Sequence, residues 1–128
     1  MRFNVNEQSN VLNDYIMCLL HGVTAAHVHH LNSVSYAEHI ALGEFYEGLE
    51  DLTDTLAEAC LQRKSQNISS LKPYFPGENG LALVNQLFDE TNLMRKIDGF
   101  PQETEIQNIV DEIADLCRST IYKLTRFK

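Results

Sequence analysis

All five histidines of this chain fall between positions 21 and 39: His21, His27, His29, His30 and His39. Two carboxylates follow on the same segment, Asp54 and Glu58, four positions apart. On a helix that spacing puts both acids on one face, a turn apart. Such a pair can bridge one or two divalent ions. Imidazole combined with carboxylate suits iron, manganese or zinc better than calcium or copper(I). Each feature alone has a plainer reading. An acidic i, i+4 pair on a long acidic helix is usually a solvated face, and a histidine beside a bundle stripe is usually hydrogen-bonded within the core.

The elements that must carry these residues are helical. Leu12, Tyr15, Ile16, Leu19, Val23 and Ala26 recur at three- and four-residue steps, which predicts a first helix from about Asn6 or Ser9 to Leu31. Asn32-Ser33 interrupts the pattern, and Ser35 with Glu38 three residues on forms a capping box for the next helix. That second helix reads from Tyr36 to about Ser65, with Leu42, Phe45, Leu49, Leu52, Leu56 and Ala59 on one stripe. Gly43 and Gly48 interrupt it, each costing about 1 kcal/mol relative to Ala, so a neighbour packed closely at these points is expected.

Pro73, Pro76 and Gly77 punctuate Asn67 to Asn79, which reads as a crossover. A third helix is predicted over about Gly80 to Ile97, with Leu81, Val84, Leu87, Phe88, Met94 and Ile97 inward. Asp98-Gly99-Phe100-Pro101 stops it. The fourth runs from about Gln102 to Arg126, burying Ile106, Ile109, Ile113, Leu116, Cys117, Thr120 and Leu124. No stretch reads as a strand. The expectation is an all-α four-helix bundle occupying residues 1–128 as one domain.

Composition excludes several functions. At 44% hydrophobic and 22% charged, the chain suits a soluble globular domain. No window approaches eighteen consecutive apolar residues, and the opening MRFNVNEQSN lacks a signal-peptide profile, so a cytoplasmic location without membrane association is expected. A net charge of −8 opposes binding to phosphate backbones, and the basic cluster Lys123, Arg126 and Lys128 suits a helix C-terminus. Cys18, Cys60 and Cys117 are scattered, as buried thiols in a reducing compartment would be. There is no P-loop, no dinucleotide fingerprint, no G-x-S-x-G and no H-E-x-x-H.

His27, His39 twelve residues on, and Asp54-Thr55-Leu56-Ala57-Glu58 fifteen further on resemble the second-helix signature of the ferritin-like mini-ferritins, the DNA-protecting proteins of starved cells (Dps). Phe45, Leu49 and Leu52 keep that family's apolar rhythm, and Tyr122-Lys123-Leu124 is similar to the end of its last helix. The resemblance implies a ferritin-like bundle with a crossover loop between the second and third helices. It also implies a homo-oligomer, at least a dimer, with a metal site across a two-fold axis. His27 and His39 of one chain would face Asp54 and Glu58 of its twin, and the cargo would be iron, oxidised from Fe(II) and sequestered.

Four positions depart from that pattern. The family's carboxylate four residues after the second histidine is Gly43 here, with Glu47 one turn beyond. Val28-His29 replaces its Trp-Asn, and no segment between the second and third helices reads as its short extra helix. Its lysine-rich tail is absent, since only Arg2 is basic in the first ten residues, so direct DNA binding is not expected. An intra-bundle di-iron centre would need Glu-x-x-His on two helices, and the chain has none. The alternative expectation is a metal-free bundle serving as a structural or protein-interaction module.

Overall fold

A computed structural model of the chain describes residues 11–63, 68 and 76–128. Four helices make up the described residues: α1 (Val11–Asn32), α2 (Tyr36–Arg63), α3 (Gly80–Met94) and α4 (Thr104–Arg126). The first helix was expected to start at Asn6 or Ser9 and the second to reach Ser65. Both points lie outside the described residues, as does most of the Asn67 to Asn79 stretch.

Local chemistry sets the boundaries. At the start of α2 the Ser35 hydroxyl accepts from the Glu38 N–H (3.3 Å), which is the N-cap half of the capping box, and the Ser35 carbonyl accepts the first helical bond from the His39 N–H (2.9 Å). Asn79 caps α3 through its side-chain oxygen, which accepts from the Ala82 N–H at 2.8 Å. The third helix stops at Met94, one turn earlier than its pattern suggests. Beyond it the N–H groups of Lys96, Ile97 and Phe100 each reach back three residues, and Gly99 takes φ +99°. Ile97 therefore turns outward, 40% exposed, rather than joining the core. Within α3 the buried stripe is Leu83, Val84, Leu87 and Thr91, with Leu81 only partly covered.

The helices run antiparallel to each neighbour. Tyr15 bonds Thr91 and Gly22 meets Leu87, so α1 and α3 run in opposite directions. Lys123 reaches Glu44, Leu116 meets Gly48 and Arg63 pairs with Glu105, which opposes α2 and α4. Each helix packs on two others, α1 on α2 and α3, and α4 on the same two. It follows that α2 and α3 point the same way across one diagonal, and α1 and α4 across the other. The layout is an all-α four-helix bundle.

The centre is filled by Tyr15, Ile16 and Leu19 of α1 and by Leu42, Phe45, Leu49 and Leu56 of α2. Leu83 and Val84 of α3 join Ile106, Val110, Ile113 and Cys117 of α4 there. Threonines in the core satisfy themselves. The hydroxyls of Thr53, Thr91 and Thr120 donate to the carbonyls of Leu49, Leu87 and Leu116 one turn back. Because the Thr91 proton goes to Leu87, the Tyr15 phenol must be the donor in their 2.9 Å bond. Burial pushes that phenol's pKa up. At the other connection, Arg95 donates to the Gln107 side chain, the Gln107 carbonyl and Asp111 (2.8, 3.2 and 2.6 Å), which fastens the α3–α4 turn. Among the described residues no helix is long and apolar enough to cross a membrane.

Candidate functional site

The histidines gather where α1 turns into α2. Only Ser33, Val34 and Ser35 separate the two helices, so the last turn of α1 and the first turn of α2 come face to face. His30 and His39 meet there. Each ring donates its Nδ1–H to the other residue's backbone carbonyl, His30 to His39 at 2.6 Å and His39 to His30 at 3.0 Å. The rings lie nearly parallel, 18° apart with centroids at 3.8 Å. The His30 carbonyl, one of the unpaired acceptors at the end of α1, also takes the hydroxyl of Ser33 at 2.8 Å. A reciprocal clasp thus closes the turn.

Both rings are fixed as the Nδ1–H tautomer, because a carbonyl can only accept. In a neutral ring so held, Nε2 carries the lone pair, the arrangement in which a backbone carbonyl orients a metal-ligating histidine. Gly43 lies against the clasp. A Cβ there would approach His30 Cε1 to 3.0 Å and Nδ1 to 3.2 Å, so the side chain missing at this position makes room for the His30 ring. The neighbour expected beside Gly43 is therefore a histidine of α1.

His27 is exposed and stacks on Tyr46 of α2, centroids 4.2 Å apart and planes 14° apart. The His30 ring meets Tyr46 edge-on at 5.4 Å. His29 turns the other way and donates its Nε2–H to the Pro76 carbonyl at 2.7 Å, tying α1 to the segment before α3. The Tyr46 and Pro76 contacts have no signature in the sequence. The His30–His39 pairing does, in the nearness of both residues to the three-residue turn.

Asp54 and Glu58 are exposed on α2, a turn apart as expected. They stand far from the histidines. Asp54 is fifteen residues beyond His39, about 22 Å along the helix axis at 1.5 Å per residue, and Glu58 about 28 Å. One protomer therefore does not assemble the predicted set. Among the described residues no group of three or more His, Cys, Asp or Glu side chains is placed to hold a metal ion. His27 and His39 stand at one end of the outward α1/α2 face, with Asp54 and Glu58 well along it.

Two of the thiols, Cys18 and Cys117, are not poised for chemistry. Burial pushes Cys117 up to about 12, and burial together with the nearby Glu90 carboxylate pushes Cys18 up to about 11.

No curated protein and no solved structure matches this chain. A family model matches residues 30–124, a span that opens on His30 and takes in His39, Gly43, Asp54 and Glu58 but not His27. The chain belongs to that family, DUF5856, a family of unknown function.

Proposed function

We propose that this protein is a divergent, Dps-like member of the ferritin-like bundles that self-associates and binds a divalent metal, iron first, between subunits. His27 and His39 of one copy would join Asp54 and Glu58 of the other. Iron is the cargo, and weak oxidation and sequestration of Fe(II) is the activity this reading carries. One observation supports it above the others. His39 has its Nδ1–H committed to a carbonyl, so its Nε2 is the nitrogen left to bind, while the carboxylates that would complete the set lie too far along the same face to serve within one chain. The helix directions agree with it. A parallel α2 and α3 on one diagonal are the helix directions that a ferritin-like crossover between them would give. The homo-oligomer follows from the ligand set, and a cytoplasmic location is part of the same proposal.

Anaerobic calorimetric titration with Fe(II), followed by absorbance of the ferric product on admitting oxygen, tests the reading. Saturable binding that His39→Ala and Asp54→Asn each weaken at least tenfold is expected. Absence of saturable binding sinks the metal.

A second reading has its own support. The His30–His39 clasp and the fit of His30 against Gly43 account for those residues without any ion. On that reading the bundle is a metal-free structural or interaction module, and purified protein would contain no iron while keeping the same helix content.

A further inference from the structure

The end of the bundle at the α1–α2 turn exposes apolar surface. Among the described residues the three most exposed large apolar side chains are Val34 (fully exposed), Tyr36 (79%) and Leu31 (67%), which fall together around the turn. They stand where the chain carries no charged side chain, since from Tyr15 through Ala37 it has no Asp, Glu, Lys or Arg. Nor is the turn slack. The reciprocal bonds between His30 and His39 (2.6 and 3.0 Å) and the Ser33 hydroxyl on the His30 carbonyl (2.8 Å) hold its shape. An apolar wedge that is already formed has little ordering to lose on binding.

Cations border the wedge. The last turn of α4 lies at this end, because Lys123 reaches Glu44 at 3.2 Å and the helix then runs on for about another turn towards the start of α2. Arg126, Phe127 and Lys128 are exposed there. The Arg126 guanidinium lies over the Tyr122 ring at 5.4 Å, and Phe127 meets that ring edge-on at 6.0 Å. Residues 21–42, 76–82 and 120–128 make up this end. They hold three of the chain's ten Lys and Arg but two of its eighteen Asp and Glu, namely Glu38 and Glu78. A chain of net charge −8 thus separates its charge, with cations at this end and a strongly acidic remainder.

We propose that this end docks on the surface of an anionic phospholipid membrane, with Leu31, Val34 and Tyr36 entering the headgroup region and Arg126 and Lys128 meeting lipid phosphates. Charge complementarity selects that occupant. A second copy placed tip to tip would set Lys123, Arg126 and Lys128 against their own kind. A folded acidic protein would need a hollow shaped to the projecting Val34, whereas fluid lipid closes around it. Tyrosine rings such as Tyr36 and Tyr122 are suited to the headgroup level, with an apolar body and a polar tip. Among the described residues no helix can cross a membrane, and contact with one leaflet needs none. The expectation of no membrane association rests on the lack of a span and of a signal profile, neither of which bears on surface contact. Leu31, Val34, Tyr36, Arg126 and Lys128 are not among the proposed metal ligands, so the inference stands without the ion.

The test is flotation of the full chain, in EDTA and low salt, with vesicles of equal parts phosphatidylserine and phosphatidylcholine. Binding is expected, at least about tenfold tighter than to phosphatidylcholine alone and falling as salt rises. Val34→Glu should weaken it at least about tenfold with unchanged helix content. Leu93→Glu, the same kind of change at an exposed site on the opposite end, should not. Arg126→Gln/Lys128→Gln should weaken it by about fivefold for each cation removed. The chain has no tryptophan, so Val34→Trp reports on the wedge alone. Its emission should move to shorter wavelength when the phosphatidylserine vesicles are added, and that of Leu93→Trp should not. Absence of flotation at low salt overturns the inference, and so does equal weakening by Val34→Glu and Leu93→Glu. An emission shift of Val34→Trp that follows protein concentration without lipid also overturns it, since the tip would then meet a second copy.

Discussion

Replacing Gly43 by alanine would ordinarily stabilise a helix. Removing a mid-helix glycine is worth about 1 kcal/mol in propensity. Here the new Cβ would meet the His30 ring at 3.0 to 3.2 Å. That ring cannot drift aside cheaply, because its Nδ1–H is held at 2.6 Å by the His39 carbonyl and its face lies on the His39 ring at 3.8 Å. Moving it disturbs both bonds of the clasp, each worth about 0.5–1.5 kcal/mol net. The loss exceeds the propensity gain, so Gly43→Ala should destabilise by about 1 kcal/mol. In a His30→Ala background the obstacle is gone, and the same change should stabilise by about 0.5–1 kcal/mol. Urea unfolding followed by circular dichroism at 222 nm on the four proteins of this cycle measures the coupling, expected near 2 kcal/mol. A Gly43→Ala effect of the same sign and size in both backgrounds would refute the claim that His30 dictates the glycine.

Further outcomes follow from the core and the connections. Thr91→Val strips the Tyr15 phenol of its buried acceptor and should cost about 1–3 kcal/mol in urea unfolding, more than Tyr15→Phe, which leaves Thr91 its own bond to Leu87. Raised thiol pKa values mean that folded Cys18 and Cys117 keep their protons where unfolded thiols lose them. Stability from these groups is complete below pH 9 and falls as pH rises from 9 towards 11 and 12, so the urea midpoint should drop between pH 8 and pH 10. Cys18→Ala/Cys117→Ala should flatten that drop. Arg95→Lys cannot reproduce three bonds from one guanidinium and should lower the urea midpoint by the equivalent of about 1 kcal/mol.

Periodicity made the bundle legible. Amphipathic stripes in α1, α2 and α4 and the Ser35 capping box announce helices that the structure contains, because burial of one face governs both pattern and packing. The end of α3 was less so. Met94 and Ile97 continue the apolar spacing, but Gly99 and Pro101 turn the chain before the pattern runs out, and local backbone geometry prevails over the hydrophobic stripe. For the candidate site, sequence spacing identifies His27, His39, Asp54 and Glu58 as positions on a face. It does not convey that the His39 ring is occupied with the His30 backbone, since that contact depends on where α1 stops. Gly43 looks like a missing ligand in the sequence and proves to be space for a neighbour's ring.

The ion pairs with both partners described share one helix. Arg63 with Glu103 and Glu105, Arg95 with Asp111, and Lys123 with Glu44 all reach α4 or its first residues, while α1 meets α2 through stacked rings and carbonyl bonds. Added salt screens exposed pairs and leaves apolar contacts and neutral hydrogen bonds largely intact. Raising ionic strength should thus loosen the bundle along one side, with amide exchange quickening in the last helix while the first hairpin keeps its protection.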